Sequence, residues 1–367
     1  MTTSRCDALT KELCLELQDD WADLARSASE ANIFQSPNFI QQSLRLFADQ
    51  APKAVTVWQG AMLIGLVILR RDAGYAKLPI PFWRSALHHE QFLATPLVRK
   101  GCEADFAKGL CQWLDSAPRD CWFLNLSMIT ADGAIAAALA DHCKIDTRAM
   151  LTANRFERAA IVPENHGNGS ADDLLRPSRR KSIRGAMKRL QKHGDVTIER
   201  LSDASELGAW VDDFLTMEDT GWKHENRSSI LSCDKETALY RAMIGDAFAA
   251  DNLHFARLCL DGKPIAYTLD ISAPSVSYCL KSAIDQQYRK FSPGVLMEHE
   301  TLRYYLGEQG LAFVDSCSAP DNVMLNELWP DRKAIMDVAI ARQGAIYTAA
   351  FRAITAIKSL LKTAPGA

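Results

Sequence analysis

The chain has 367 residues, 48% of them hydrophobic and 24% charged, with a formal net charge of -3. That much apolar material builds packed cores, and at ~100 to 200 residues per domain the length points to two of them. The near-neutral balance excludes a surface basic throughout, of the kind that coats nucleic acid, and leaves room only for local patches. The ten cysteines are scattered with no pair at C-x-x-C spacing. They read as reduced, mostly buried thiols, and no metal is expected. Residues 1–20 carry Asp7, Glu12, Glu16 and Asp19, and the longest strongly apolar run, 61–69, is well short of the ~20 residues of a spanning helix. The expected location is the cytoplasm.

Residues 21–47 have helical periodicity, with Ser36-Pro37 opening a second helix whose Phe39, Ile40, Leu44 and Phe47 share one face. Two β-rich runs, 54–58 and 62–69, flank Gln59-Gly60 and read as a hairpin. Prolines 79, 81 and 96 break the next stretch, and then 106–114 is helical, 121–126 a buried strand and 134–142 a helix. The segment 159–169, ending in Pro163-Glu164-Asn165-His166-Gly167, is the linker candidate.

The second half opens on a basic helix, 178–193, then strand 196–200 and helices 204–219 and 235–250. A second hairpin, 254–260 and 264–271 around Asp261-Gly262, precedes strand 276–282, helix 295–308 and strand 312–315. Each half thus sets a hairpin after helices and before a strand and a helix, which suggests an internal duplication. The expected fold is α/β (α+β): two units, 1–165 and 166–340, each a mixed sheet flanked by helices, then a basic amphipathic helix in 341–367.

One stretch carries the chemistry. After the strand ending in Lys281-Ser282-Ala283-Ile284, the turn Arg289-Lys290-Phe291-Ser292-Pro293-Gly294-Val295 leads into a helix. Free amides at a helix start, its dipole and two cations suit a diphosphate, although the same residues also describe an ordinary strand-to-helix turn. Lys281 stands in an otherwise apolar strand, where an unpaired ammonium is costly, so it reaches a carboxylate or a ligand.

For a general base the chemistry needs a carboxylate near an ammonium nucleophile. Glu218, before Gly221-Trp222-Lys223, and Asp315, at a strand end, are the candidates; a solvated helix-end acid and a loop cap are the alternative readings. Trp222 and Lys223 suit a substrate pocket or a packing anchor. Arg180 and Arg184 lie on a stripe with Lys188 and Lys192 that can hold phosphates or simply face water. The terminal run Tyr347, Phe351, Ile354, Ile357, Leu361 can lie on an anionic membrane or pack back on a domain.

Taken in order, Glu218, Gly221-Trp222-Lys223, Asp261-Gly262-Lys263-Pro264, Lys281-Ser282-Ala283-Ile284-Asp285, Phe291-Ser292-Pro293-Gly294, Asp315-Ser316, Trp329 and Arg332 resemble the CelD/BcsL-type branch of the GNAT acyltransferase superfamily, over about 174–335. The tandem arrangement is similar to that of the FemABX aminoacyl transferases. The resemblance implies two GNAT-like units. The second would bind acyl-coenzyme A as co-substrate, its diphosphate on the turn from Arg289 to Gly294. It implies N-acylation of an amine acceptor of cell-envelope metabolism, such as a sphingoid-type lipid base or an amino sugar, on the inner face of the membrane. The first glycine of the usual loop is Ser292 here, and no tyrosine follows Asp315 before Trp329. The rival readings are an aminoacyl-tRNA donor, which would give the basic helix an RNA to hold, and a non-catalytic scaffold.

Overall fold

The computed structural model describes residues 2–47, 49–75, 78–118, 121–167, 169–307 and 310–353. The chain divides into two compact units, residues 1–156 with 334–367, and residues 157–333.

In the first unit β1 (Thr2–Ala8) is followed by α1 (Lys11–Glu16), α2 (Gln18–Arg26) and α3 (Pro37–Ser43), the last started by Ser36, whose hydroxyl accepts from the Phe39 amide. The expected hairpin is β2 (Lys53–Gln59) and β3 (Met62–Asp72), with Gly60 at φ 62° in its turn. Then come β4 (Phe82–Ser85), β5 (Leu97–Val98), α4 (Glu103–Ser116), β6 (Phe123–Thr130) and α5 (Ala134–Ile145). Phe106, Leu110 and Leu114, at helical spacing on α4, pack with Val55, Val67 and Leu126 in the core. Gly65 is required there, because a Cβ would stand 2.1 Å from the Phe106 ring.

The chain crosses to the second unit within β7 (Met150–Ile161). That unit holds α6 (Ala171–Leu174), α7 (Pro177–Leu190), β8 (Val196–Arg200), α8 (Leu207–Glu218), α9 (Trp222–Glu225) and α10 (Asp234–Ala249). Its second half is β9 (Leu253–Leu260), β10 (Lys263–Ala273), β11 (Val276–Ile284), α11 (Pro293–Gly307), β12 (Phe313–Asp315) and α12 (Val323–Leu328). The last strand, β13 (Asp331–Ala341), pairs with β6 from Ile335 onward.

The strands of the two units follow one plan. In the first, β1-β2-β3-β4 are antiparallel, β4 and β6 are parallel and β13 closes antiparallel to β6. In the second, β8-β9-β10-β11 are antiparallel, β11 and β12 are parallel and β7 closes antiparallel to β12. The expected mixed α/β architecture is what the structure has, and the hairpins of the two halves occupy equivalent positions in it.

The boundaries differ from the expected ones for a physical reason. Residues 159–161, expected to begin a linker, are fully buried strand, with Ile161 opposite Val314. The division at 340 also gives way. The hydrogen-bonding edge of β6 is filled by β13, so 334–341 belong with the first unit. Of the terminal helix, 345–353 is described: Phe351 is buried against Phe82 and Phe123, and the Tyr347 ring meets Trp122 edge-on. Ile354, Ile357 and Leu361 lie outside the described residues. Among the described residues no helix is long and apolar enough to cross a membrane.

Candidate active site

The expected diphosphate turn is a 3-10 turn over Gln286–Phe291 that ends at Ser292 in the left-handed region, φ 56° and ψ 49°. The Ser292 amide donates to the Arg289 carbonyl at 3.0 Å and the Leu296 amide to the Ser292 carbonyl at 3.2 Å. Pro293 has no amide proton, so Gly294 and Val295 are the first-turn donors without an acceptor inside α11. Gly294 fits because a Cβ there would already press on Ile284 at 3.3 Å. Arg289 and Lys290 are exposed beside the turn, Phe291 is buried beneath it against His193, and the first turn of α11 holds no acid. Asp285 anchors the entry: it accepts from the Gln287 amide at 2.9 Å and pairs with Lys263 Nζ at 2.9 Å.

Upstream of this turn the sheet opens. β11 and β12 pair only at Val276 with Phe313, Ser277 with Val314 and Tyr278 with Asp315; β12 then ends, whereas β11 runs on to Ile284. Just past the last pair, Leu269 lies opposite Lys281 and Asp270 opposite Cys279, so Leu280 is an extra, bulged residue. The two strands part beside the start of α11, and the bulge removes backbone groups from the ladder at that point.

The expected catalytic residues fall in different surroundings. Glu218, at the end of α8, is 2% exposed and accepts from the Ile230 amide at 2.9 Å. Lys281 is half-buried with its ammonium 5.8 Å from the Tyr240 ring centre, on the α10 side. Asp315 is fully buried between Arg158 Nε at 2.7 Å and Lys333 Nζ at 3.0 Å, and it also accepts from the Cys317 amide at 3.0 Å. Although burial opposes the charge, Arg158 and then Lys333 hold its pKa down to about 2. With both oxygens occupied by cations, Asp315 has the geometry of a structural anchor at the strand parting rather than of a proton acceptor.

The side chains of Trp222 and Lys223 lie outside the described residues; their backbone begins α9, next to Gly221, whose missing Cβ leaves 3.3 Å to the Gln286 side chain. On α7, Arg184 pairs with Asp172 at 2.7 Å and Arg180 donates to the Leu175 carbonyl at 3.3 Å. Together with Lys181, Gly185 and Lys188 they line an open groove of about 500 Å³. Arg176 and Arg179 are drawn instead to Glu327 on α12.

Sequence reading passed over two acids. Asp270, on β10, is 0% exposed and binds Tyr305 Oη at 2.8 Å and Thr268 Oγ1 at 3.2 Å; Glu298, on α11, is 6% exposed. The signal was there: an acid inside the apolar strand that ends in Leu269-Asp270-Ile271, and an acid on the same helical stripe as Thr301, Leu302 and Tyr305.

Residues 177–322 match the family model described as an acetyltransferase (GNAT) domain. Among solved structures the chain is similar to FemX, with 11% identity, 91% of this chain and 96% of that one covered, and a TM-score of 0.50. It is similar to a conserved protein of unknown function from Bacteroides thetaiotaomicron VPI-5482, with 9% identity, coverages of 92% and 99%, and a TM-score of 0.56. A third is the C-terminal domain assigned to a lysylphosphatidylglycerol synthetase of Agrobacterium fabrum, with 13% identity, coverages of 94% and 97%, and a TM-score of 0.53. At these identities the likeness is one of fold. No curated protein matches the chain by sequence. The strand parting and the helix-start turn both fall within the stretch that matches the acetyltransferase (GNAT) domain model, residues 177–322.

Proposed function

We propose that the protein is an N-acyltransferase that takes its acyl group from an acyl-coenzyme A and passes it to an amine of cell-envelope metabolism, either a long-chain amino-alcohol base of sphingoid type or an amino sugar. The observation that carries the donor half is the sequence of features along β11 and α11: a slot where β11 leaves β12, then the Ser292 turn with the Gly294 and Val295 amides, flanked by Arg289 and Lys290. The pantetheine arm enters the slot and the diphosphate rests on the turn. The acceptor enters from the α8 and α10 side, where Glu218 and Lys281 lie and where Trp222 and Lys223 start α9. The α7 cations Arg180 and Arg184 border the donor's phosphates or an anionic membrane surface. The amine attacks the thioester carbonyl, the carbon–nitrogen bond forms, and coenzyme A leaves as the thiol.

The test is product formation. Acetyl- and palmitoyl-coenzyme A are each incubated with sphinganine and with glucosamine, and the mixtures are read by mass spectrometry for the amide and by thiol titration for released coenzyme A. An amide formed with stoichiometric thiol release is the expected result. No thiol release with either donor, together with amide formation from an aminoacyl-tRNA, would replace the coenzyme A donor by the tRNA one.

A further inference from the structure

A buried acid pair lies where β11 and β12 part, and the donor reading leaves it unused. Glu298, in the second turn of α11, is 6% exposed and its Oε2 has no hydrogen-bond partner. An orphaned buried carboxyl oxygen is costly unless a ligand or a proton accounts for it. The charge that bears on it is that of the fully buried Asp270, which lies opposite Cys279, the first β11 residue beyond the last pair with β12. Tyr305 Oη joins Asp270 Oδ2 at 2.8 Å to Ser277 Oγ at 2.8 Å, a short chain along the same face. The titratable groups around the pair are Cys279 from β11, which bears on both acids, and Tyr305 on α11 and Cys317 just past β12, which bear on Asp270.

Two carboxyls this deeply buried, one bearing on the other, do not both ionise near neutrality. Burial, and then the Asp270 charge, push Glu298 up to about 8, and burial pushes Asp270 up to about 7.

We propose that Glu298 is the proton donor to the departing sulfur, with Asp270 and Tyr305 as the relay behind it, an assignment that rests on the coenzyme A reading. The ammonium acceptor first gives one proton to solvent. Its lone pair then forms the carbon–nitrogen bond at the thioester carbonyl. On collapse the carbon–sulfur bond breaks with its electron pair on sulfur, and sulfur takes the proton from Glu298 Oε2. The Glu298 carboxylate recovers a proton from the new amide nitrogen, so the products are amide, thiol and one solvent proton. An acid whose pKa lies near that of the thiol it protonates is matched to this task.

The test is calorimetric binding of acetyl- and palmitoyl-coenzyme A between pH 6.5 and 9, in buffers of different ionisation enthalpy, with wild type, Glu298→Gln and Asp270→Asn. If the thioester lies against protonated Glu298, wild type takes up protons on binding, and its affinity falls about tenfold over the unit of pH above the midpoint. Glu298→Gln, neutral at every pH, loses the proton uptake and the pH dependence of the affinity. Asp270→Asn, with the like charge gone, moves the midpoint to lower pH, and it carries the test should Glu298→Gln not fold. The same pH dependence in wild type and both variants overturns the assignment and leaves the donor reading standing. No binding of either thioester to wild type at any pH overturns both.

Discussion

The segment before α4 and the segment before α11 occupy equivalent places in two units of one plan, and each brings an Arg-Lys pair to its helix, Arg99-Lys100 and Arg289-Lys290, yet their surroundings differ. Before α11 a short turn ends in left-handed Ser292, two cations flank it, and the first helical turn is free of acids. Before α4 the path is long, and His88, Glu90 and Gln91 are buried along it. The helix then opens with Glu103 and Asp105 in its first turn, and Glu103 accepts from the Gly101 amide at 3.2 Å. Acids at a helix start satisfy the dipole from within and repel an anion. The lesson is that one topology supplies the helix start twice, and that first-turn acids, with Arg99 taken up by Asp23, set one start apart from the other.

The largest effect that would sharpen this contrast concerns the strand parting itself. Arg158→Met removes one cation from the fully buried Asp315, and the expected loss is about 3 to 5 kcal/mol by urea denaturation. A loss below about 1 kcal/mol would mean that Lys333 alone suffices and that the anchor is not needed to hold the slot open.

The next effect is one of pH. Glu298 and Asp270 have folded pKa values raised above 4.5 and 3.8, so the native state holds more protons than the unfolded chain between those values and about 8. Their contribution to stability is full below pH 4 and is lost as pH rises through about 7 to 8. Asp315 runs the other way, its contribution being lost as pH falls from 3.8 through about 2. In the first unit, burial holds His88 down to about 3, so its contribution is present above pH 6.5 and lost as pH falls toward 3. Glu298→Gln should therefore flatten the decline in stability between pH 5 and 8 seen by thermal denaturation. An unchanged slope would show that the pair titrates normally.

A smaller effect is expected at Ser292. Its left-handed backbone costs a side chain about 1 kcal/mol, so Ser292→Gly should stabilise the protein by up to that amount and keep the binding of coenzyme A. Ser292→Val, β-branched at the same φ, should weaken both. The smallest effect is at the α4 counterpart, where Glu103→Ala/Asp105→Ala should change coenzyme A affinity less than about twofold, because Arg99, one of the two cations before that helix, is already held by Asp23. A larger gain would assign that helix start a donor of its own.

Much of the fold was legible in the chain. Both hairpins could be read from their turn residues, and α4, α7 and α11 from their apolar stripes. What escaped was long-range. Residues 159–161 resemble the head of a linker because Pro163 and Gly167 follow, and only their pairing with β12 shows them to be core. The assignment of 334–341 to the first unit depends on which strand edge is left open on β6, a property no local pattern carries. At the site, the turn from Arg289 to Val295 was legible because glycine, proline and cations mark it. Asp315 was legible as a residue at the strand parting but not in its surroundings. The Arg158 and Lys333 that saturate it lie 157 residues before and 18 residues after it.

The most direct test of the account is the thermal stability of wild type and of the Arg289→Ala/Lys290→Ala variant with free, acetyl- and palmitoyl-coenzyme A. A ligand that binds the native state raises its stability. The account predicts an upward shift for wild type that is largely lost in the variant, since the diphosphate would face the turn without its cations. An equal shift in both proteins, or none in either, would contradict the assignment of the donor to the Ser292 turn.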